Sequence, residues 1–343
     1  MILLAVILAV ATPVQAMDFQ APEAPDSVAE LIPEKADSFG EGLWNVIKAG
    51  ISWLDESLGA AMKGCLAAAA AVMLCALLRE VSGAISGRTT ELACTVAVAG
   101  ILLAPSSSLI HLGTQTATEL SEYGNLLLPV MTGALAAQGG VTASAALYTG
   151  TALFDSVLSK LLSKLMIPML WLFLALAIAN SALNEDLLAK MRDFIKWLMG
   201  WVLKTVLYLF TGYMTVTGVV SGTADASAVR AAKLTISSAV PVVGGILSDA
   251  SETVLVTAGT LGSAAGVYGL LTVLALFAGP FVRIGVQYLV LKGASALCGA
   301  FDGGSAAGLM ADFSGAMGLV LAMVSTQTVL LMISTLCFMK GVG

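Results

Sequence analysis

The sequence predicts an all-α, polytopic membrane protein with about eight transmembrane helices. Hydrophobic residues make up 58% of its 343 residues. Charged residues make up 11%, against about 25% in an ordinary soluble domain. The charges also lie between long apolar runs, as expected when one charge at the bilayer centre costs about 2.5–3.5 kcal/mol on insertion scales. The lipid bilayer is therefore the first predicted partner.

The N-terminal segment, residues 1–16, is predicted to be a signal peptide. Residues 2–11 form a short apolar core, and Val14-Gln15-Ala16 places small side chains where a signal peptidase needs them. We expect cleavage after Ala16. No Lys or Arg precedes the core, so an uncleaved first span is the alternative.

Residues 17–42 are predicted to be an acidic tail outside the cytoplasm. Seven acidic residues face one lysine in this segment, and such a composition is typical of a mobile chain. Residues 43–58 repeat Leu, Trp and Ile near helical spacing, which indicates an amphipathic helix in the membrane interface. A helix packed on the membrane bundle is the alternative.

Residues 59–343 form the predicted polytopic membrane domain. A helix needs about 20 residues to cross the hydrocarbon, and eight runs approach that length. They are 58–78, 92–110, 141–157, 165–180, 197–220, 255–279, 281–300 and 314–338. Several are short for a full crossing, so the expected count is eight, give or take one.

Charges in the first loops predict how the chain enters the membrane. Arg79 and Arg88 follow the first run, which favours a cytoplasmic loop. Residues 105–124 carry Glu119 and Glu122 without Lys or Arg, which favours an external loop. Basic residues occur in each of the next loops, so the orientation of the second half stays open.

An internal repeat is indicated by helix-breaking residues that recur in register. The pattern Pro-Val-x-x-Gly begins at Pro129 and again at Pro241, 112 residues later. The same offset relates Gly150 to Gly262 and Pro168 to Pro280. We therefore align 92–200 with 204–312 as candidate repeats. Chance matching between apolar stretches is the alternative.

Each Pro-Val-x-x-Gly pattern is predicted to lie in a broken, re-entrant helix, over Leu126–Ala137 and Ser238–Asp249. Proline removes a backbone hydrogen bond, so the freed groups need protein or water in a cavity. Re-entrant segments would make the repeats inverted, and full crossings would make them parallel. Interrupted helices in two halves point to a transport site. The candidate gating or conduit residues are Pro129, Gly133, Pro241, Gly244 and Gly245.

A second set of candidates consists of polar residues near these breaks or inside apolar runs. Carboxylates within membrane segments often mark proton or ion pathways. The candidates are Asp155, Asp225, Arg230, Lys233, Asp249 and Glu252. For Asp249 and Glu252, a solvated position at a helix end is the alternative.

We find no motif for catalysis, a cofactor or a metal. The single histidine, His111, lacks a neighbouring His or Cys cluster. A phosphate-binding loop is absent, so an ATP-driven role needs a separate ATPase. The net charge of −6 argues against nucleic acid as a partner. The five cysteines are expected to pack as small hydrophobic side chains rather than to form disulfides. The predicted protein is not an enzyme.

Four stretches resemble the stage III sporulation protein AE family. They are VRAAKLTISSAVPVVGGILSDA at 229–250, SGTAD at 221–225, and LLPV at 127–130 with GGVT at 139–142. The resemblance runs from about residue 43 to the C-terminus. It implies a multispanning protein of endospore-forming bacteria, made in the mother cell and placed in the outer forespore membrane. It also implies a channel, or feeding tube, shared with ring-forming and membrane proteins of the same operon and a cytoplasmic ATPase.

Three functions fit these observations. The first is a permease-like subunit of the sporulation channel, required for late forespore development. The second is a secondary transporter that couples a proton to a small solute through Asp155, Asp249 or Glu252. The third is a structural membrane anchor for the channel rings, which would tolerate substitution of Pro241 and Gly245 by Ala.

Overall fold

A computed structural model describes residues 21–32, 39–137, 141–216, 264–300 and 304–341. The predicted all-α class is confirmed, because the described residues contain helices and no strands. A short 3₁₀ helix spans Ala29–Leu31. The α-helices are Phe39–Ala137, Val141–Leu161, Ile167–Leu183, Asp186–Val216, Ala264–Ala300 and Gly304–Gly341, and a π-helical segment, Leu162–Met166, joins the second to the third.

Six helical segments within the described ranges are long and apolar enough to cross a membrane. In chain order, the first to sixth spans are Gly40–Leu78, Thr89–Ala136, Ser144–Leu183, Asp186–Met214, Ala265–Ala300 and Gly304–Met339. The predicted signal peptide, residues 1–16, lies outside the described residues.

The helix Phe39–Ala137 reverses direction between the first and second spans. The Cα atoms of Cys75 and Cys94 are 5.7 Å apart, whereas a straight helix would separate them by about 28 Å. The two cysteines form a disulfide. The prediction that all five cysteines pack as small hydrophobic groups was therefore wrong for this pair, because sequence alone did not show that their helices meet. Cys65, Cys298 and Cys337 form no disulfide and are buried, as predicted.

The eight predicted runs fall into six spans wherever they are described, because prolines do not end the helices. Pro168 stands at the start of Ile167–Leu183, directly after the π-helical segment, and Pro280 lies inside Ala264–Ala300. The runs 141–157 and 165–180 thus belong to one span, and so do the runs 255–279 and 281–300 where they are described. Prolines are tolerated in membrane helices when local π geometry and neighbouring helices satisfy the freed backbone groups.

Two further predictions on the second span are corrected by the structure. Residues 105–124 are helical rather than an external loop, with Pro105 inside the helix. Leu126–Ala137 continues the same helix through Pro129 and does not form a separate broken element. The partner segment Ser238–Asp249 lies outside the described residues, so the repeat stays a prediction.

The spans alternate in direction, as their contacts show. Ser295 on the fifth span bonds the Ala307 carbonyl, while Gly266 lies against Met339, so the fifth and sixth spans are antiparallel. Ser305 bonds Glu91 and Leu331 approaches Gly124, so the second and sixth are parallel.

The first and fifth spans are also parallel. The contact of Trp53 with Gly279 and the bond from Cys65 to the Val290 carbonyl progress in the same direction along both helices.

The third span runs antiparallel to the sixth and to the fourth. Asp155 bonds Gln327 and Thr151 bonds Ser334. Tyr213 donates to the Ala146 carbonyl, while Phe154 contacts Phe210. Gly40, Met214, Ala265 and Met339 therefore lie at one end of the bundle, the proximal end. Leu78, Leu183 and Ala300 lie at the other, the distal end.

The predicted tail and amphipathic helix are joined to this bundle. Val28 and Ile32, within 17–42, are buried in the hydrophobic core. The expectation of a mobile tail is therefore wrong for this part. The acidic composition of the segment gave no indication that two apolar side chains pack against the bundle. Residues 43–58 are helical and continuous with the first span. Leu43 and Val46 are buried there, whereas Trp44 and Ile51 are exposed. Whether this stretch lies in the membrane interface stays a prediction.

Candidate functional site

Asp155 is the centre of a buried polar cluster that joins three spans. It lies on the third span and is 1% exposed. Ser121 on the second span donates to Asp155 Oδ2 at 2.7 Å. Gln327 on the sixth span donates from Nε2 to Asp155 Oδ1. Both partners are also buried. The structure places Asp155 inside the helix bundle, and its predicted role in a proton or ion pathway stays a prediction.

The cluster contains more acceptors than donors. Gln327 Oε1 is buried and makes no hydrogen bond within the described part of the chain. No Lys, Arg or His of the described residues forms an ion pair with Asp155. A buried carboxylate without a cation is costly, and so is an unpaired amide oxygen. The arrangement is suited to receiving a proton or a small cation.

A second polar contact lies one helical turn towards the proximal end. Thr151 and Ser334 share a hydrogen bond of 2.6 Å, and both side chains are buried. Thr151 precedes Asp155 by four residues, so the two side chains share a face of the third span. Buried polar groups thus extend over about one turn of the third span and about two turns of the sixth.

Charged groups meet near the distal end. Arg192 on the fourth span bonds Asp312 on the sixth at 2.7 Å and its neighbour Asp193 at 2.9 Å. The Arg192 and Asp312 side chains are 18% and 17% exposed, so this ion pair is largely withdrawn from solvent. The pair joins the fourth span to the sixth, and removing Arg192 would leave the buried Asp312 carboxylate without this partner.

Beyond this pair, hydroxyl groups connect three spans at the distal end. Thr95 bonds the Ser181 carbonyl at 3.3 Å, and Ser181 bonds the Ser305 carbonyl at 2.8 Å. Ser305 in turn donates to Glu91 at 2.8 Å. These bonds join the second, third and sixth spans near the distal end.

Of the other predicted site residues, the structure describes Pro129 and Gly133, and neither is a hydrogen-bond partner in the Asp155 cluster. Pro129 is exposed and Gly133 is half-buried on the second span. The remaining candidates lie outside the described residues, and their roles stay predictions: Asp225, Arg230, Lys233, Pro241, Gly244, Gly245, Asp249 and Glu252. Among the residues that are described, no group of three His, Cys, Asp or Glu could hold a metal ion.

Sequence reasoning missed the partners of Asp155. Gln327 stands in the apolar run 314–338, and a glutamine there is a signal of a buried polar contact. Ser121 carried no such signal, because it was assigned to a predicted loop. The pairing itself depends on the third span running antiparallel to the sixth.

Comparisons with known proteins agree with the resemblance noted in the sequence. A family model described as stage III sporulation protein AE matches residues 39–341, which include all six spans found in the described ranges. A stage III sporulation protein AE from Bacillus subtilis (strain 168) is 21% identical over 236 residues. That alignment covers 68% of this chain and 59% of the Bacillus protein. No solved structure matches the chain.

Proposed function

The chain belongs to the stage III sporulation protein AE family, and from this membership we propose that it is a permease-like membrane subunit of the channel between mother cell and forespore. In this role it is not an enzyme, and its task is to line or gate a path across one membrane. Late forespore development would depend on it.

The Asp155 cluster is the observation that supports a permease-like role most directly. An ionisable side chain inside a membrane bundle is expensive, and such residues usually serve transport or proton transfer. Asp155 bonds two other spans through Ser121 and Gln327. A change at this carboxyl would therefore alter the packing of three helices together, as gating requires.

The proposed location is the outer forespore membrane, with the mother cell as the site of synthesis. The proposed partners are ring-forming and membrane proteins of the same operon and a separate cytoplasmic ATPase. The membrane part of this proposal is supported by six apolar spans within the described residues. The location and the partners are proposed from the family resemblance.

A deletion strain tests the proposal. We expect cells without the gene to complete engulfment and then to fail in late forespore gene expression, measured with a fluorescent reporter. Expression of the intact gene in the mother cell should restore the reporter, whereas expression in the forespore should not. Normal spores in the deletion strain would contradict the proposal.

A second candidate function, a proton-coupled transporter of a small solute, is favoured by the same carboxyl. Asp155 is buried among uncharged partners, as in a proton relay. Purified protein in liposomes should then move a solute when a proton gradient is imposed, and Asp155→Asn should abolish the movement. If no solute of a broad panel moves while the protein remains folded, this candidate is rejected.

A further inference from the structure

Gln327 holds a buried oxygen atom that the described part of the fold leaves unsatisfied. Gln327 is 0% exposed. Its Nε2 donates to Asp155 Oδ1, whereas its Oε1 accepts no hydrogen bond from the described residues. Both amide atoms are attached to one carbon, so Oε1 lies beside the Asp155 carboxylate. A buried acceptor without a partner is costly, and a positively charged ligand next to the carboxylate would satisfy it.

The two groups that bond Asp155 do not neutralise it. Ser121 donates to Oδ2 at 2.7 Å, and Gln327 donates to Oδ1. Both donors are uncharged, and none of the ion pairs among the described residues includes Asp155. The cluster therefore carries one uncompensated negative charge in a place where isolated charges are expensive.

Asp312 shows how the bundle treats another acid that is withdrawn from solvent. Its side chain is 17% exposed, and Arg192 donates to it at 2.7 Å. Asp155 is more deeply buried, at 1% exposed, and the described residues supply it with no such cation. The contrast indicates that the charge partner of Asp155 is a bound ligand.

The atoms around this position select the kind of ligand. They are carboxylate, amide and hydroxyl oxygens from Asp155, Gln327 and Ser121. Oxygen donors suit hard cations rather than transition metals. The single carboxylate balances one positive charge, whereas a divalent cation would leave a second charge uncompensated in a buried site.

The next polar contact along the bundle offers further oxygen atoms. Thr151 and Ser334 share a hydrogen bond of 2.6 Å, and both are buried. Thr151 lies four residues before Asp155, or about 6 Å along the third span. A cation at Asp155 therefore has hydroxyl oxygens on its proximal side.

We propose that Asp155, Gln327 and Ser121 bind one alkali metal cation, sodium or potassium, between the second, third and sixth spans. The Asp155 carboxylate supplies the charge, and Gln327 Oε1 supplies the acceptor that lacks a hydrogen bond. The inference rests on the proposed permease-like role for its use in transport, and it names the class of ion that the Asp155 cluster holds.

Sodium binding to the purified full chain tests the proposal. Binding of radioactive sodium in detergent is measured at equilibrium, with N-methyl-D-glucamine chloride keeping the ionic strength constant. We expect one sodium ion per chain, displaced by unlabelled sodium or potassium. The unfolding temperature should rise with either cation and not with N-methyl-D-glucamine, because a ligand that binds only the native state stabilises it.

Three variants locate the bound ion. Asp155→Asn removes the charge and should abolish binding. Gln327→Met removes Oε1 and should weaken binding about tenfold or more, as loss of a supporting polar group does at metal sites. Thr328→Val is the matched control, because the buried Thr328 hydroxyl already bonds the Val324 carbonyl at 2.9 Å. It should bind sodium as the unmodified chain does, and gel filtration confirms that each variant folds.

A change of charge tests the valence. Gln327→Glu places a second carboxylate beside Asp155, so calcium should raise the unfolding temperature of this variant. Calcium should not raise the unfolding temperature of the unmodified chain. Calcium stabilisation of the unmodified chain, or none in the folded Gln327→Glu variant, would contradict a site with one balanced charge.

Three further results would overturn the inference. The first is a folded, unmodified chain that binds no sodium. The second is equal sodium binding by Asp155→Asn or by Gln327→Met. The third is binding that appears only in Arg230→Gln or Lys233→Gln, which would make a basic residue of this chain the partner of Asp155. All these measurements use purified protein, so their failure is separate from a failure of the deletion test.

Discussion

The Asp155 carboxylate accepts hydrogen bonds from two other spans, and its replacement should separate structure from function. Asp155→Leu leaves the Ser121 hydroxyl and the Gln327 amide unpaired, at a cost of about 1–3 kcal/mol for each buried group. Asp155→Asn can still accept one bond and can donate to Gln327 Oε1. We expect Asp155→Leu to lower the thermal unfolding temperature in detergent strongly and Asp155→Asn to change it little.

An exposed acid on the first span provides the control for this experiment. Asp55 is exposed, so Asp55→Leu should change the free energy of unfolding by no more than about 0.5 kcal/mol. Equal losses at Asp55 and Asp155 would show that the hydrogen bonds to Asp155 do not stabilise the fold.

Gly150 allows the third and fourth spans to approach each other. A Cβ atom at this position would overlap the Tyr213 ring, which is itself held by its bond to the Ala146 carbonyl. Gly150→Ala should lower the free energy of unfolding by about 1–3 kcal/mol, as overpacking does. Gly212, beside Tyr213, has open space around it, so Gly212→Ala should be neutral or slightly stabilising in the same thermal assay. Equal stability of the two variants would contradict the close packing.

At this scale, the sequence predicted which residue is unusual but not what it touches. Asp155 stands out because it is one acid within an apolar run. Gln327 and Ser121 lie 172 and 34 residues away, and only the helix directions bring them to it. Residue type therefore predicts the cost of burial, whereas the fold decides how that cost is offset.

At the scale of the elements, a disulfide joins the first two spans near the reversal between them, and counting reactive thiols detects it. Cys75 and Cys94 form a disulfide, and the other three cysteines are thiols outside any disulfide. Purified, denatured protein should therefore accept three maleimide-polyethylene glycol groups without reductant and five after reduction. Five additions without reductant would contradict the link.

Reduction of the same link should also destabilise the native protein. A loop of this size contributes about 3 kcal/mol in the chain-entropy account of disulfides. We expect thermal unfolding at a lower temperature after reduction, and Cys94→Ser should reproduce that loss. Cys298→Ser, which leaves the link intact, should not reproduce it.

The prolines explain why the number and bounds of the membrane helices were harder to predict than the all-α fold class. Apolar composition predicts membrane helices regardless of their ends, and that prediction is confirmed. Their number depends on whether Pro168 and Pro280 end a helix or lie within one. A short π-helical segment before Pro168 keeps the third span continuous, and a single sequence carries no strong signal for such a segment. Residues 105–124 were misassigned for the same reason, because Pro105 and the polar side chains are typical of loops.

For the whole molecule, the position of Asn184 distinguishes the observed arrangement from the predicted one. Asn184 follows the third span at the distal end, whereas the sixth span finishes at the proximal end. An epitope inserted after Asn184 should therefore lie on the opposite side of the membrane from a C-terminal tag. With eight crossings and Ser238–Asp249 re-entrant, four crossings would separate Asn184 from the C-terminus, and both would lie on the same side. Protease protection in oriented vesicles measures the difference.

The lengths of the spans also determine how far the protein extends from the membrane. The sixth span has 36 residues, or about 54 Å of helix, and even a 40° tilt would leave about 41 Å to fit into roughly 30 Å of hydrocarbon. Helices must therefore project into the aqueous phase while remaining packed, since contacts join them from Glu91 and Ser305 to Gly266 and Met339. A protein that binds these projecting, packed helix ends could displace the helices as rigid bodies. The displacement would reach the Asp155 cluster through the helices themselves, without passing through a flexible loop.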